Sequence, residues 1–352
     1  MKTAALLLSL LSLGARADTA NTTARSTQKL GEGIWEIRHP DAPDGFPQGN
    51  TTVIAGDKAV LVVDSCLLPS SARQDIEQIR KWTQKPVAWL VNTHWHFDHT
   101  LGNATYAAAF PGLQIVAQEE TKKMIERFNP GAVQRYPTRQ QRFQKMLDSG
   151  KDQDGKPLTE AFRTDLQKAL AGLGPVVAEF KDAQQLPATV GFDHQLTIDL
   201  GNREVQVRFL GRGNTAGDTV VWLPKEKLLA AGDLLDHPVP YFFGGYPVDL
   251  ISTLRRVAEL GAQTIVPGHG DVLHGNAYVE QVIELATAVT AEVEKELNSG
   301  LTRDQVLESA PKNLDGAKYR KLFTGDDKEN GDEFDLSFAG LIKTAVNQIS
   351  VR

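Results

Sequence analysis

Apolar runs and amphipathic stretches follow one another along the chain in two rounds. In the first round, runs with the composition of β-strands occupy residues 33–40, 51–56, 58–65 and 87–93. Between the last two runs, residues 70–83 begin with serines and place apolar side chains at helical spacing. This order predicts a sheet in which a helix joins the last two strands.

The second round repeats this order. Strand patterns resume at residues 195–201, 203–211, 218–224, 227–233 and 264–270. Helical patterns occur at residues 249–260, 276–298, 302–310 and 335–350. The alternation predicts an α/β protein with two β/α halves packed face to face and C-terminal helices over about 276–350.

A polar, helix-like region separates the two rounds. Residues 118–182 contain amphipathic stretches that proline and glycine residues interrupt. This composition predicts a helical insertion on a larger scaffold. Two roles remain open for the insertion, namely packing alone, or a lid or wall for a substrate.

The first residues have the pattern of a secretory signal peptide. Lys2 precedes an apolar run at Ala4–Leu13, and Ala15-Arg16-Ala17 gives a small-residue cleavage pattern. The run is too short to span a bilayer, which needs about 20 residues. We therefore expect cleavage after Ala17, a secreted or periplasmic protein, and no stable membrane anchor. Residues 18–30 are polar and predicted to be flexible, and residues 31–352 are predicted to form one domain.

Charge and cysteine usage narrow the function classes. The net charge is -6, which gives no reason to expect nucleic acid as a partner. Cys66 is the only cysteine, so no disulfide forms within the chain and the fold must depend on its core. The expected partner is a small-molecule substrate, and the oligomeric state stays open.

The segment THWHFDHTLGN, residues 93–103, carries the strongest chemical signal. It holds three of the eight histidines, His94, His96 and His99, together with Asp98. Imidazole and carboxylate are ligands that suit Zn²⁺, and alternate residues of an extended segment point the same way. The spacing predicts a metal site at the end of a strand.

Three later segments each place a polar residue beside an apolar strand. Asp233 follows a buried run in LAAGDLL, where an ionised carboxylate needs a partner such as a cation. His269 lies between two glycines in IVPGHG, where the backbone can approach a ligand closely. Asn214 lies in the glycine-rich turn GRGNTAGD. Each signal is weak alone, and their order gives them weight.

These motifs, THWHFDH, GRGNTAGD, AAGD and PGHG, together resemble the metallo-β-lactamase superfamily over residues 31–275. The resemblance implies an αββα four-layer sandwich with a dinuclear metal site that holds one or two zinc ions, with iron and manganese as alternatives. It assigns His94 and His96 to the first metal, and Asp98, His99 and His269 to the second. It makes Asp233 the bridging ligand and Asp64 the residue that holds the metal-binding loop in place.

One position departs from the family pattern. Asn214 stands where the family supplies a third histidine to the first metal, so that site would bind loosely, bind a different ion or stand empty. His237 follows Asp233 by four residues and could substitute as a ligand, although a surface position or one behind the ligands is the favoured interpretation. The aromatic segment 241–246 is read equally as a lip over the substrate or as a core plug.

The resemblance predicts a hydrolase. Metal-activated water would attack an amide, lactam, lactone or ester, and Asp98 would act as the catalytic residue that orients it. Two alternatives remain open. One is a phosphodiesterase or sulfatase with the same metals, and the other is a non-catalytic binding protein with a degraded first site.

Overall fold

The computed structural model describes residues 25–153, 155–181 and 183–351. The predicted signal peptide, residues 1–17, lies outside the described residues. The described chain divides into two compact units. The N-terminal unit contains residues 25–191 and 200–202, and the C-terminal unit contains residues 192–199 and 203–351. That residues 31–352 form a single domain stays a prediction.

A seven-stranded sheet in chain order organises the N-terminal unit. Its strands are β1 (Ser26–Gly31), β2 (Ile34–Arg38), β3 (Thr51–Ala55), β4 (Val60–Val63), β5 (Val87–Val91), β6 (Gln114–Gln118) and β7 (Val190–Phe192). Strands β1 to β4 pair antiparallel, and β4, β5 and β6 pair parallel. Because β4 and β5 run parallel, the residues that follow them meet at one edge of the sheet, where α/β proteins place their ligands.

The helices of the N-terminal unit include the predicted insertion. They are α1 (Pro69–Trp82), α2 (Phe97–Thr100), α3 (Asn103–Ala109), α4 (Glu119–Arg135), α5 (Thr138–Ser149) and α6 (Glu160–Lys181). Helix α1 makes the crossover between β4 and β5 and buries Ala72, Ile76 and Ile79. Helices α4 to α6 fill the stretch predicted to be helical.

One prediction for this unit is wrong. Residues 26–30, expected to be flexible, belong to strand β1, which pairs with β2 in the register Ser26 to Arg38. Backbone pairing fixes this edge strand, while its side chains are mostly exposed and polar. The strand therefore lacks the apolar alternation on which the sequence prediction depended.

A six-stranded sheet organises the C-terminal unit, in the order β13-β12-β11-β10-β9-β8. Its strands are β8 (Gln195–Asp199), β9 (Glu204–Phe209), β10 (Thr219–Leu223), β11 (Leu228–Asp236), β12 (Thr264–His269) and β13 (Leu273–His274). Strands β11 and β12 pair parallel, and the other neighbours pair antiparallel. The parallel pair brings the ends of β11 and β12 to the same edge.

The remaining helices complete the C-terminal unit. They are α7 (Pro247–Glu259), α8 (Ala277–Asn298), α9 (Arg303–Asn313), α10 (Gly316–Thr324) and α11 (Lys328–Ile349). Buried side chains of α7, α8 and α11, among them Leu254, Val282 and Leu341, form one apolar core with residues of the sheet. Two sheets with flanking helices and a helical insertion confirm the predicted α/β class. Within the described residues, no helix has the length and apolarity needed to cross a bilayer.

Candidate metal centre

The histidine-rich loop follows strand β5 in the N-terminal unit and continues into helix α2. His94 and His99 are completely buried, Asp98 is 7% exposed, and His96 is half-buried. The ring centroid of His94 lies 4.6 Å from that of His96 and 4.4 Å from that of His99. Oδ2 of Asp98 lies 3.5 Å from Nε2 of His99. The loop therefore gathers all four predicted ligands of this segment.

Asp64, which the resemblance assigned to holding the loop, bonds to it directly. The backbone N–H of Thr93 donates to Oδ1 of Asp64 at 2.8 Å, and the Thr93 hydroxyl donates to Oδ2 at 2.7 Å. Nδ1 of His99 lies 3.0 Å from the same Oδ2. Because a carboxylate only accepts, His99 carries its proton on Nδ1, and Nε2 is left as the atom that can bind a metal.

The backbone of Gly49 packs closely against the ring of His99. A Cβ at this position would lie 2.3 Å from Cε1 of His99, so no larger residue fits while the ring keeps its place. The Gly49 N–H donates to the carbonyl of Asp98 at 3.2 Å, and its own carbonyl accepts from Nδ1 of His39 at 2.8 Å. His39 in turn contacts the buried carboxylate of Asp75 at 3.0 Å. No local sequence pattern indicates this support, because it depends on contacts between distant segments.

The second group of donors lies in the C-terminal unit, on strands β11 and β12. Single donor atoms of Asp233, Asp236 and His269 all lie within 4.8 Å of one another. Nε2 of His269 lies 3.8 Å from Oδ1 of Asp233, and the His269 N–H donates to Oδ1 of Asp236 at 3.1 Å. The structure thus brings two predicted ligands together and adds Asp236. The signal for Asp236 was its place in AAGDLLD, where β11 ends.

Asn214 contacts one of these carboxylates. Its Nδ2 donates to Oδ2 of Asp233 at 3.4 Å. The turn around it is held by Asp218, whose Oδ2 accepts from the Thr215 N–H at 2.8 Å. Gly245 approaches so closely that a Cβ there would lie 2.5 Å from the Asn214 carbonyl. The turn is well packed, and it places the amide of Asn214 beside Asp233.

His237 lies beside the same edge but contacts other residues. Its backbone N–H donates to the His269 carbonyl at 3.1 Å, while its Nδ1 lies 3.8 Å from Oδ2 of Asp271. Its ring packs 5.2 Å from that of Tyr278. These contacts fit the interpretation that His237 supports the His269 segment from behind.

A small cavity in the C-terminal unit opens beside Asn214 and Asp233. Its lining adds the apolar side chains of Leu234, Tyr241 and Leu250. Phe242 is 6% exposed and belongs to the apolar core, and both Tyr241 and Phe242 line the cavity. Phe242 therefore packs in the core, whereas the role of segment 241–246 as a lip over a substrate stays a prediction.

Both donor groups fit a divalent cation such as zinc. Neutral imidazoles and carboxylates are the ligands that zinc takes, and a nearly buried carboxylate such as Asp98 requires a positive partner. Glycines stand where side chains would intrude. A Cβ on Gly268 would lie 1.9 Å from Oδ1 of Asp233, so only glycine leaves room for this carboxylate. Gly49 leaves room for the ring of His99 in the same way.

Comparison with known proteins gives the family. The model of the metallo-beta-lactamase superfamily matches residues 44–269. A linear primary-alkylsulfatase from Pseudomonas sp. is 24% identical over 283 residues, which cover 73% of this chain and 48% of that protein. The chain spans about half the length of the first curated relatives that it matches.

Solved structures agree with this match in fold. A metallo-beta-lactamase from Pontibacter korlensis superposes with a TM-score of 0.54 at 17% identity, covering 75% of this chain and 99% of that chain. The inverting sec-alkylsulfatase Pisa1 from Pseudomonas sp. superposes with a TM-score of 0.61 at 14% identity, covering 91% of this chain and 50% of that chain. The chain belongs to the metallo-beta-lactamase superfamily, and the predicted family and fold class are confirmed.

Proposed function

We propose that this protein is an exported, metal-dependent hydrolase of a small-molecule substrate. The observation that carries the proposal is the loop 94–99, in which three imidazoles and a carboxylate are gathered in a buried setting. Superfamily membership supports the same reaction class. A structural role for the loop would not require the costly burial of Asp98 beside His99.

The residues of the loop have separable tasks. A divalent cation bound there supplies a Lewis acid, which polarises a substrate and lowers the pKa of water. Asp64 fixes the tautomer of His99, and the rings of His94 and His96 turn toward one another. Asp98, 7% exposed, retains contact with solvent and is the group that would orient the attacking water and carry its proton.

Two sets of relatives support two candidate substrate classes. Amides, lactams, lactones and carboxylic esters suit the chemistry that a metal-activated water at the loop would supply, and the Pontibacter metallo-beta-lactamase is similar to the chain in fold. A sulfate ester is the second candidate, because the likeness to the alkylsulfatase Pisa1 extends over 91% of this chain, against 75% for the Pontibacter enzyme. A panel of nitrocefin, lactones, p-nitrophenyl esters, alkyl sulfates and bis-p-nitrophenyl phosphate separates these classes.

The central experiment compares His94→Ala with His194→Ala. His194 is exposed, so its substitution is the matched control for loss of a histidine. We expect His94→Ala to lose bound metal and hydrolysis of whichever substrate the wild type accepts, and His194→Ala to keep both. A wild type purified with almost no zinc, iron or manganese would contradict the proposal and favour a non-catalytic binding protein.

Asn214→His tests the departure from the family. We expect the substitution to raise metal occupancy, because imidazole is a better zinc ligand than an amide oxygen. Asn202→His, at an exposed position, is the control. Unchanged occupancy in Asn214→His would mean that position 214 does not bind a metal.

Export is part of the proposal and has its own test. It is supported by the signal-peptide pattern of residues 1–17. Mass spectrometry of the protein recovered from a secreting host should give a chain that begins at Asp18. A chain that retains Met1 or Lys2 in the exported fraction would contradict cleavage.

A further inference from the structure

Helix α4 of the insertion bonds to the histidine-rich loop through Asn129. Asn129 is completely buried, and its Nδ2 donates to the carbonyl of Trp95 at 2.9 Å and to Oγ1 of Thr100 at 2.9 Å. The Thr100 hydroxyl donates in turn to the carbonyl of His96 at 3.0 Å. Asn129 therefore fixes the backbone on either side of the peptide unit that carries His96.

Aromatic contacts follow the same path. The ring of Phe128, next to Asn129 on α4, lies 5.5 Å from that of Trp95. The Trp95 ring lies 4.6 Å from that of His96 in an edge-on arrangement. A shift of α4 would therefore move both the backbone and the ring against which His96 packs.

The insertion is anchored at the far end of α4. The Tyr136 hydroxyl donates to Oδ2 of Asp44 at 2.7 Å, and burial is the main reason that the pKa of Tyr136 is raised well above its usual value. The buried guanidinium of Arg139 lies 4.7 Å from the Tyr136 ring and 5.1 Å from the ring of Phe46. These contacts attach the C-terminal end of α4 to the segment before β3. Helix α4 is therefore fixed at this end, and Asn129 bonds to the histidine-rich loop from its middle.

Helix propensity alone does not explain an asparagine at this position. Asn129 lies inside α4 and directly precedes Pro130, and both residues are unfavourable within a helix. Residues that are unfavourable for their own secondary structure are expected where they support a functional site. The amide is also the group that the contacts require, because both of its N–H bonds are used and a carboxylate would face a carbonyl oxygen.

We propose that Asn129 is a positioning residue for the metal-binding loop, and that the insertion serves to hold this loop in its metal-binding conformation. The inference rests on the proposed function only in assuming that the loop binds a divalent cation. It adds to the family motifs a residue some thirty positions away in sequence, and it gives the insertion a role other than that of a lid.

The test measures metal affinity rather than activity. Zn²⁺ and Co²⁺ affinities would be determined by chelator competition for the wild type, Asn129→Ala and Asn276→Ala. Asn276 is the matched control, because its Nδ2 donates to the carbonyl of Ala258 at 2.9 Å in the C-terminal unit. We expect Asn129→Ala to weaken metal binding about 10- to 100-fold, the usual effect of losing an outer support of a ligand. Asn276→Ala should stay within about twofold.

Spectroscopy separates positioning from loss of stability. The visible spectrum of the Co²⁺ form reports coordination geometry, and it should change in Asn129→Ala and remain unchanged in Asn276→Ala. An Asn129→Ala variant with wild-type affinity and an unchanged Co²⁺ spectrum would overturn the inference. A lower melting temperature with both metal readouts unchanged would overturn it equally.

A second pair of variants applies if Asn129→Ala does not fold. Thr100→Val keeps the side-chain shape and removes the hydroxyl, whereas Thr100→Ser keeps the hydroxyl. We expect Thr100→Val to lose affinity and Thr100→Ser to retain most of it, and equal affinities would contradict the inference. If the wild type itself binds no divalent cation, the proposed function fails, whereas wild-type binding with unaffected variants would sink only the inference.

Discussion

Gly49→Ala is the sharpest single perturbation of the metal-binding loop. Gly49 is buried, and its backbone lies outside the left-handed region, so alanine brings no backbone strain. The added Cβ would lie 2.3 Å from Cε1 and 2.4 Å from Nδ1 of His99. Normal contact requires roughly 3.5 Å, so the ring and Gly49 would have to separate by about 1.2 Å.

His99 cannot absorb this displacement cheaply. Its ring is completely buried, and Nδ1 lies 3.0 Å from Oδ2 of Asp64. A movement of about 1 Å away from Asp64 takes that pair out of hydrogen-bond range. Overpacking of this kind costs about 1–3 kcal/mol of stability, and the misplaced ligand should lower metal affinity about 10- to 100-fold.

The assay pairs urea unfolding of the metal-free protein with chelator competition. Gly31→Ala is the matched control, because a Cβ on Gly31 would meet only the side chain of Ile34, at an ordinary 3.7 Å. The control should change stability by less than about 0.5 kcal/mol and leave metal affinity unchanged. A Gly49→Ala protein with wild-type stability and affinity would refute the reasoning that Gly49 sets the position of His99.

Three further outcomes follow from other parts of the N-terminal unit. Asp64→Asn should weaken metal binding about 10- to 100-fold in chelator competition. The amide of the new asparagine would donate to Nδ1 of His99, so the ring would carry its own proton on Nε2, the nitrogen that should bind the metal. Wild-type affinity in this variant would contradict the prediction. Burial, followed by the charge of Asp75, raises the pKa of the Cys66 thiol, so Ellman's reagent at mildly alkaline pH should leave the native protein unmodified and titrate the thiol only in guanidinium chloride. Rapid reaction of the native protein would show that Cys66 is accessible. Tyr136→Phe should lower the free energy of unfolding in urea by about 1.5–3 kcal/mol, because it removes the hydroxyl that donates to the buried carboxylate of Asp44. An unchanged midpoint of urea unfolding would show that this hydrogen bond contributes nothing to stability.

The sequence could predict the donors that lie close together along the chain. His94, His96, Asp98 and His99 lie within six consecutive residues at the end of a buried strand. Their side chains therefore have to lie near one another in the fold. Asp233 and His269 were recognised through motif order, and the structure brings them together with Asp236 because β11 and β12 run parallel.

The supports of these donors could not be predicted in the same way. Gly49, His39 and Asn129 act through contacts between distant parts of the chain, and each is an ordinary residue in its own segment. Their roles depend on tertiary packing, which no local pattern records.

The fold shows the same division. Buried strands such as β4 and β10 are continuous apolar runs, and helices such as α1 have clear periodicity, so their positions were predicted closely. Strand β1 is polar and exposed and owes its conformation to pairing with β2. Strand β6 is also hard to recognise, because it has only three apolar residues between two glutamines. Strands defined by their partners rather than by their own composition are the ones that the sequence conceals.

The most direct test of the central claim is diffraction at the zinc absorption edge from crystals of the zinc-loaded protein. The account predicts an anomalous peak at the histidine-rich loop, about 2.0–2.1 Å from imidazole nitrogens of His94, His96 or His99. The same map tests whether Asp233 and His269 are ligands, as the family resemblance implies. A map in which zinc is bound elsewhere, or in which no peak lies at this loop, would contradict the account.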